Sequence, residues 1–139
     1  MLLALIQGFA SDAAVVRTAC SIARQEKEKL TLLYVIEIDR KYPVDREVEG
    51  ETDRAEEALQ EMEKLSKKYK VKAIGQILQA RSKGSAVLSQ VDELKANYII
   101  MGAQSDPRVE LMDFGKTARH ILNQTQCALI VCQGSRQSV

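Results

Sequence analysis

No tryptophan occurs among the 139 residues, and aromatic residues of all kinds make up only 4%. A surface that stacks bases needs aromatic faces, so this scarcity argues against nucleic acid as a partner. Charge of one sign is not in excess either, since 20 basic and 19 acidic residues leave a net charge of +1. A duplex binder carries a basic stripe. Here lysine and glutamate interleave, as in Arg24-Gln25-Glu26-Lys27-Glu28-Lys29, which reads as a solvated helix end. Cysteine is sparse and odd in number (Cys20, Cys127, Cys132), with no C-x-x-C. Neither a disulfide framework nor a zinc site is indicated. Cys127 and Cys132 stand on one expected strand at an odd separation, hence on opposite faces, and all three read as reduced thiols in or near the core. Apolar runs reach only about six residues, against the roughly 20 of a membrane helix. Met1 leads straight into an apolar segment with no basic region before it, so the cytoplasm is the expected compartment.

What the chain does have is a regular alternation. Leu2–Ile6 is a continuous apolar run, the mark of a strand buried on both faces in a parallel sheet, and Leu30–Ile36 reads as a second buried strand. Between them, Val15, Ala19, Ile22 and Ala23 share one helical face, with Ser11 or Asp12 as the expected cap. A long polar connection, 37–50, contains Tyr42-Pro43 and exceeds the usual loop length, so it reads as mobile or functional. A helix over 52–68 follows, with Ala55, Ala58, Leu59, Met62 and Leu65 inward. The run 71–78 reads as a strand loosened by Gly75 and therefore placed at a sheet edge. The third helix, 85–95, turns Val87, Leu88, Val91 and Leu94 inward. Tyr98–Met101 is the fourth strand, the last helix turns Ala118, Ile121 and Leu122 inward, and Cys127–Cys132 is the fifth strand. Residues 1–133 form one domain, and the polar tail 134–139 is expected to be disordered. Strict β-α alternation implies a five-stranded parallel sheet with helices on both faces and right-handed crossovers. Ligands of such folds bind beyond the carboxyl ends of the strands, where the strand order reverses.

The turn after the fourth strand is the strongest candidate for chemistry. Gly102 ends that strand and Gly115 opens the next helix. A glycine lets backbone approach a ligand closely, and a helix N-terminus suits phosphate. The same glycines also serve ordinary turn geometry. Gly115-Lys116-Thr117 is not the end of a P-loop, because position 110 is Glu110 and a P-loop follows the first strand. His120 is the only histidine and reads as structural. Arg81-Ser82-Lys83-Gly84 forms a positive tip after the third strand, open to an anion contact or to plain capping.

Several segments in order resemble the universal stress protein family, over residues 1 to 133. Leu2-Leu3-Ala4-Leu5-Ile6-Gln7-Gly8 is similar to its opening strand, and Leu30-Thr31-Leu32-Leu33-Tyr34-Val35 to its second. Ala96-Asn97-Tyr98-Ile99-Ile100-Met101-Gly102 is similar to the strand before its phosphate loop. Ala118-Arg119-His120-Ile121-Leu122 through Cys127-Ala128-Leu129-Ile130-Val131 resembles its closing helix and strand. Members that bind ATP carry glycine, two residues, glycine, nine residues, glycine, then Ser or Thr. The matching positions here are Gly102, Ser105, Gly115 and Lys116, with a hydroxyl one place late at Thr117. Gln7 stands where the family has an aspartate.

The resemblance implies strand order 3-2-1-4-5 and a crevice formed by Gln7, Gly8, Val35, Met101, Gly102, Ser105, Gly115, Lys116 and Thr117. Its expected occupant is an adenine nucleotide, ATP or AMP, with magnesium in the case of ATP, the adenine lying near Gln7 and Val35. Gly102→Val is expected to abolish binding and leave the fold intact. The expected function is that of a non-catalytic, homodimeric stress-response regulator. Two alternatives stand beside it. One is a family member that binds no nucleotide and works through protein contacts. The other is a nucleotide-hydrolysing enzyme, for which Asp106 and Asp113 are the aspartates near the loop. The apolar last strand, Cys127-Ala128-Leu129-Ile130-Val131-Cys132, falls at a sheet edge in this order and is the expected dimer interface.

Overall fold

The computed structural model describes residues 1–47, 49–103 and 115–133. Five strands and four helices alternate along the chain: β1 (Leu2–Leu5), α1 (Asp12–Glu26), β2 (Leu30–Glu37), α2 (Glu51–Lys68), β3 (Ala73–Ala80), α3 (Lys83–Leu94), β4 (Tyr98–Ala103), α4 (Gly115–Gln124) and β5 (Ala128–Gln133). The strands form one parallel sheet in the order β3-β2-β1-β4-β5. The order reverses between β1 and β4, where Leu2 stands beside Tyr98 and Ala4 beside Ile100.

Alternate residues of β1 feed two cores. Leu2, Ala4 and Ile6 pack with Val15, Ala19 and Ala23 of α1 and Leu59 of α2. Leu3 and Leu5 pack with Val87 of α3 and with Ala118 and Ile121 of α4. β1 is fully buried on both faces, which is why its sequence shows no polar alternation. Cys132 joins the first core and Cys127 the second, the opposite-face arrangement expected from their spacing.

Two expectations need correction. Leu122 does not point inward; it is 61% exposed. α4 packs through Ala118 and Ile121, three apart, and one more residue turns the side chain about 100° away from that contact. Ser11 occupies the N-cap position of α1 but makes no capping bond, and its backbone is already helical. The Asp12 carboxylate bonds instead to the preceding turn. The edge position expected for β3 holds, with bounds two residues later than the sequence suggested.

The connection 37–50 is tied down through its first part. Arg81 Nη1 donates to the carbonyls of Ile38, Asp39 and Tyr42 at 3.4, 2.6 and 2.6 Å. Gln79 Nε2 donates to those of Val44 and Arg46, and the Arg46 guanidinium lies 3.9 Å from the centre of the Tyr42 ring. Arg81 is thus a clamp for this loop. Its Nη1 is engaged by these carbonyl oxygens.

Candidate functional site

The reversal point brings the β1–α1 turn against the end of β4. Ile6 is still in register, its N–H donating to Leu33 O at 2.8 Å. The chain then turns through Gly8, whose φ of +75° favours glycine. Asp12 closes this turn. Its Oδ1 accepts from Gln7 N at 3.1 Å and its Oδ2 from Gly8 N at 2.9 Å. Burial pushes the Asp12 carboxyl above its ordinary pKa, while the N–H groups of Gln7, Gly8 and Phe9 pull the other way. The N–H groups that an anion would meet at the β1 tip are therefore already held by the chain's own carboxylate.

Gln7 bridges the crevice, with Nε2 donating to Gly102 O at 3.2 Å. This amide ties β1 to β4 where the family pattern has a carboxylate. Gly102 is glycine because of α1. A Cβ there would collide with Ser11 Oγ and lie 2.6 Å from Ser11 Cβ. The expectation that Gly102→Val leaves the fold intact is therefore corrected, since the first turn of α1 would have to move. Ser11 is 1% exposed, and its hydroxyl has no hydrogen-bond partner among the described residues. A buried polar group without a partner is rare and calls for a reason.

The other expected site residues distribute as follows. Met101 and Val35 are both 2% exposed and belong to the core on the α3–α4 side. Their side chains are packing residues. Tyr34, which sequence reasoning quoted only as part of a strand, reaches toward the turn, its hydroxyl 3.8 Å from where a Gly8 Cβ would stand. Burial, then the Glu51 and Asp12 charges, raise its pKa. Gly115 has φ +89° with open space around its α-carbon, so it is needed for backbone conformation and not for close packing. Lys116 is exposed and Thr117 half-buried at the start of α4. Ser105, Asp106 and Asp113 lie outside the described residues, as does the tail 134–139.

A cleft of about 710 Å³ opens beside Gln7 and Gly8. Tyr34, Glu51, Arg54, Glu57, Glu61 and Lys64 also line it. With three carboxylates against two cations it disfavours phosphate. A second cleft of about 760 Å³ lies at the opposite end of the sheet, near Lys95, Asn97, Thr125 and Cys127, away from the carboxyl ends where such folds bind ligands. Among the described residues, no group of three His, Cys, Asp or Glu is placed to hold a metal ion. No helix among them is long and apolar enough to cross a membrane.

A universal stress protein family model matches residues 2–133. The chain belongs to the universal stress protein family. Solved structures agree in fold. A universal stress protein from Archaeoglobus fulgidus superposes with TM-score 0.80 at 16% identity, covering 94% of this chain and 96% of that one. The Archaeoglobus fulgidus protein in complex with dAMP gives 0.75 at 16% identity, over 94% and 95% of the two chains. A universal stress protein in complex with cAMP gives 0.70 at 14% identity, over 96% and 98%. At such identities the likeness shows the fold alone. No curated protein sequence matches the chain.

At the crevice the Gln7 amide, bonded to Gly102 O, is a neutral group, and the Ser11 hydroxyl is buried behind Gly102. Glu51, Glu57 and Glu61 repel anions on the α2 side. Lys116 and the α4 N-terminus are the cationic features on the other side.

Proposed function

We propose that this universal stress protein is a non-catalytic regulator that senses an adenine nucleotide at the β1–β4 crevice and acts as a homodimer. The observation that carries the nucleotide reading is the buried, unpartnered Ser11 hydroxyl beside Gly102 at the reversal point. A ligand that parts α1 from the end of β4 supplies the missing partner, and the dAMP and cAMP complexes of two structural relatives make an adenine nucleotide the class to test. Gln7 and Ser11 hold the base and ribose end, while Lys116, Thr117 and the N–H groups of α4 face the phosphates. The non-catalytic reading rests on Asp12. Asp12, the carboxylate of the β1–α1 turn, has both oxygens bonded to backbone N–H groups, which weakens it as a base for water. Titration calorimetry with ATP, AMP and cAMP tests the binding. Saturable binding of one of them, weakened about tenfold by Ser11→Ala, is the expected result. Time-dependent release of product from bound ATP would defeat the non-catalytic part.

One observation favours a second reading, in which the protein binds no nucleotide and works through protein contacts. The Gln7 side chain already bridges to Gly102 O, which closes the crevice without a ligand. Gln7→Asp separates the two. If the bridge is what bars the nucleotide, the variant gains binding that the wild type lacks.

A further inference from the structure

The sheet has two free edges, and they differ. β3 pairs with β2 over its whole length, and its outer side pairs with nothing among the described residues. Its sequence, Ala73-Ile74-Gly75-Gln76-Ile77-Leu78-Gln79-Ala80, contains no charge and no proline. Edge strands are ordinarily interrupted by such residues to block further pairing. Only the carboxyl end is guarded, where Gln79 and Arg81 hold the β2–α2 loop across it. From Ala73 to Leu78 the edge is open, and Ile74 is 61% exposed on it. On the α2 side the Glu63 carboxylate lies against Gly75. An added strand therefore finds its apolar neighbour in Ile74, on the other face.

Charge selects the occupant. Lys67, Lys68, Lys70 and Lys72 are all exposed at the start of this edge, and none forms an ion pair among the described residues. They flank the strand without interrupting it. Paired antiparallel about a two-fold axis, a second copy would set its Lys70 and Lys72 toward the Gln79–Arg81 end of this strand, where Arg81 adds a cation and the strand carries no carboxylate. An acidic segment gains from them. We infer that the open edge of β3, Ala73–Leu78, docks an extended, acidic segment of a partner protein as a sixth strand. Backbone hydrogen bonds supply affinity, and Ile74 with the four lysines supplies selectivity. This inference stands independently of the nucleotide reading.

The test uses the full chain and a fluorescent eight-residue peptide of alternating valine and glutamate, followed by anisotropy. Saturable binding is expected, weakening roughly tenfold as salt rises from about 50 to 300 mM. Ile74→Glu, and separately Lys70→Glu with Lys72→Glu, should each weaken it about tenfold or more. A peptide of the same composition with two central prolines cannot extend the ladder and should not bind. Absence of binding, equal binding of the proline peptide, or indifference to the lysine changes overturns the inference. So does self-association that Ile74→Glu disperses, since a second copy would then be the occupant. Circular dichroism of the variants establishes that they are folded.

Discussion

Ser11 and Gly102 are coupled by contact, and each makes the other's substitution informative. Gly102→Ala places a Cβ against Ser11 in a region with no slack, and overpacking of this kind costs about 1–3 kcal/mol. Urea unfolding should show that loss. Ser11→Ala removes a buried hydroxyl that has no partner, so the free protein should gain about 1 kcal/mol. A gain in stability coupled to a loss of nucleotide affinity is the signature of a group kept for a ligand. Asp12 makes a different prediction. Its folded pKa is raised above the ordinary 3.8, so the folded state holds the proton more tightly than the unfolded chain. Stability from this group is highest at acid pH, falls as pH rises from the ordinary value through the raised one, and is level above it. The wild type's stability relative to Asp12→Asn should therefore decline across that window. A difference that rises with pH would mean that the backbone N–H groups outweigh burial.

At the scale of elements, the β2–α2 loop is held by two side chains, Arg81 and Gln79. Arg81 donates to three of its carbonyls, and truncation to alanine leaves them to water. Cleavage by trypsin at Arg40, Lys41 and Arg46 should accelerate severalfold in Arg81→Ala. Global stability should change by only about 0.5 kcal/mol, as is usual for surface substitutions. Unchanged cleavage would show that Gln79 suffices. This clamp was not legible in the sequence, because an arginine after a strand carries no mark of which distant carbonyls it will meet. The elements themselves were legible. The apolar run at 2–6 and the largely apolar 30–36 read as doubly buried strands, and alternation with amphipathic helices implied a parallel sheet. The strand order came from the family resemblance, and the sheet shows it. Leu122 was misread because an inward stripe can follow spacing of three or four, and only the tilt of α4 against α3 and the sheet decides. Gln7 was legible as a departure from the family pattern, but its bond to Gly102 O, 95 residues away, was not. The role of Gly102 as the seat of Ser11 was hidden for the same reason, since it arises from the approach of α1 to β4.

The whole molecule ends in two edges with different chemistry, and this bears on how copies assemble. β5 pairs with β4 on one side only. Leu129, Ile130, Val131 and Cys132 are each only partly buried, and the strand carries no charge and no proline. Unlike β3, it has no lysine cluster at its entrance, so nothing electrostatic keeps a twin away. Leu122 stands exposed on α4, the helix that precedes β5 in the chain. An apolar edge beside an exposed leucine either aggregates or is covered. A two-fold axis that sets two β5 strands antiparallel covers it with its own copy. The expected result is a dimer by light scattering at micromolar concentration. Leu122→Glu, on the surface, should weaken that dimer while leaving the fold unchanged. Ile130→Lys should give monomer or insoluble protein, because Ile130 also packs against the α1 side of the core. A stable wild-type monomer would defeat the prediction. So would a dimer indifferent to Ile130→Lys but dispersed by Ile74→Glu, which would place the contact on β3.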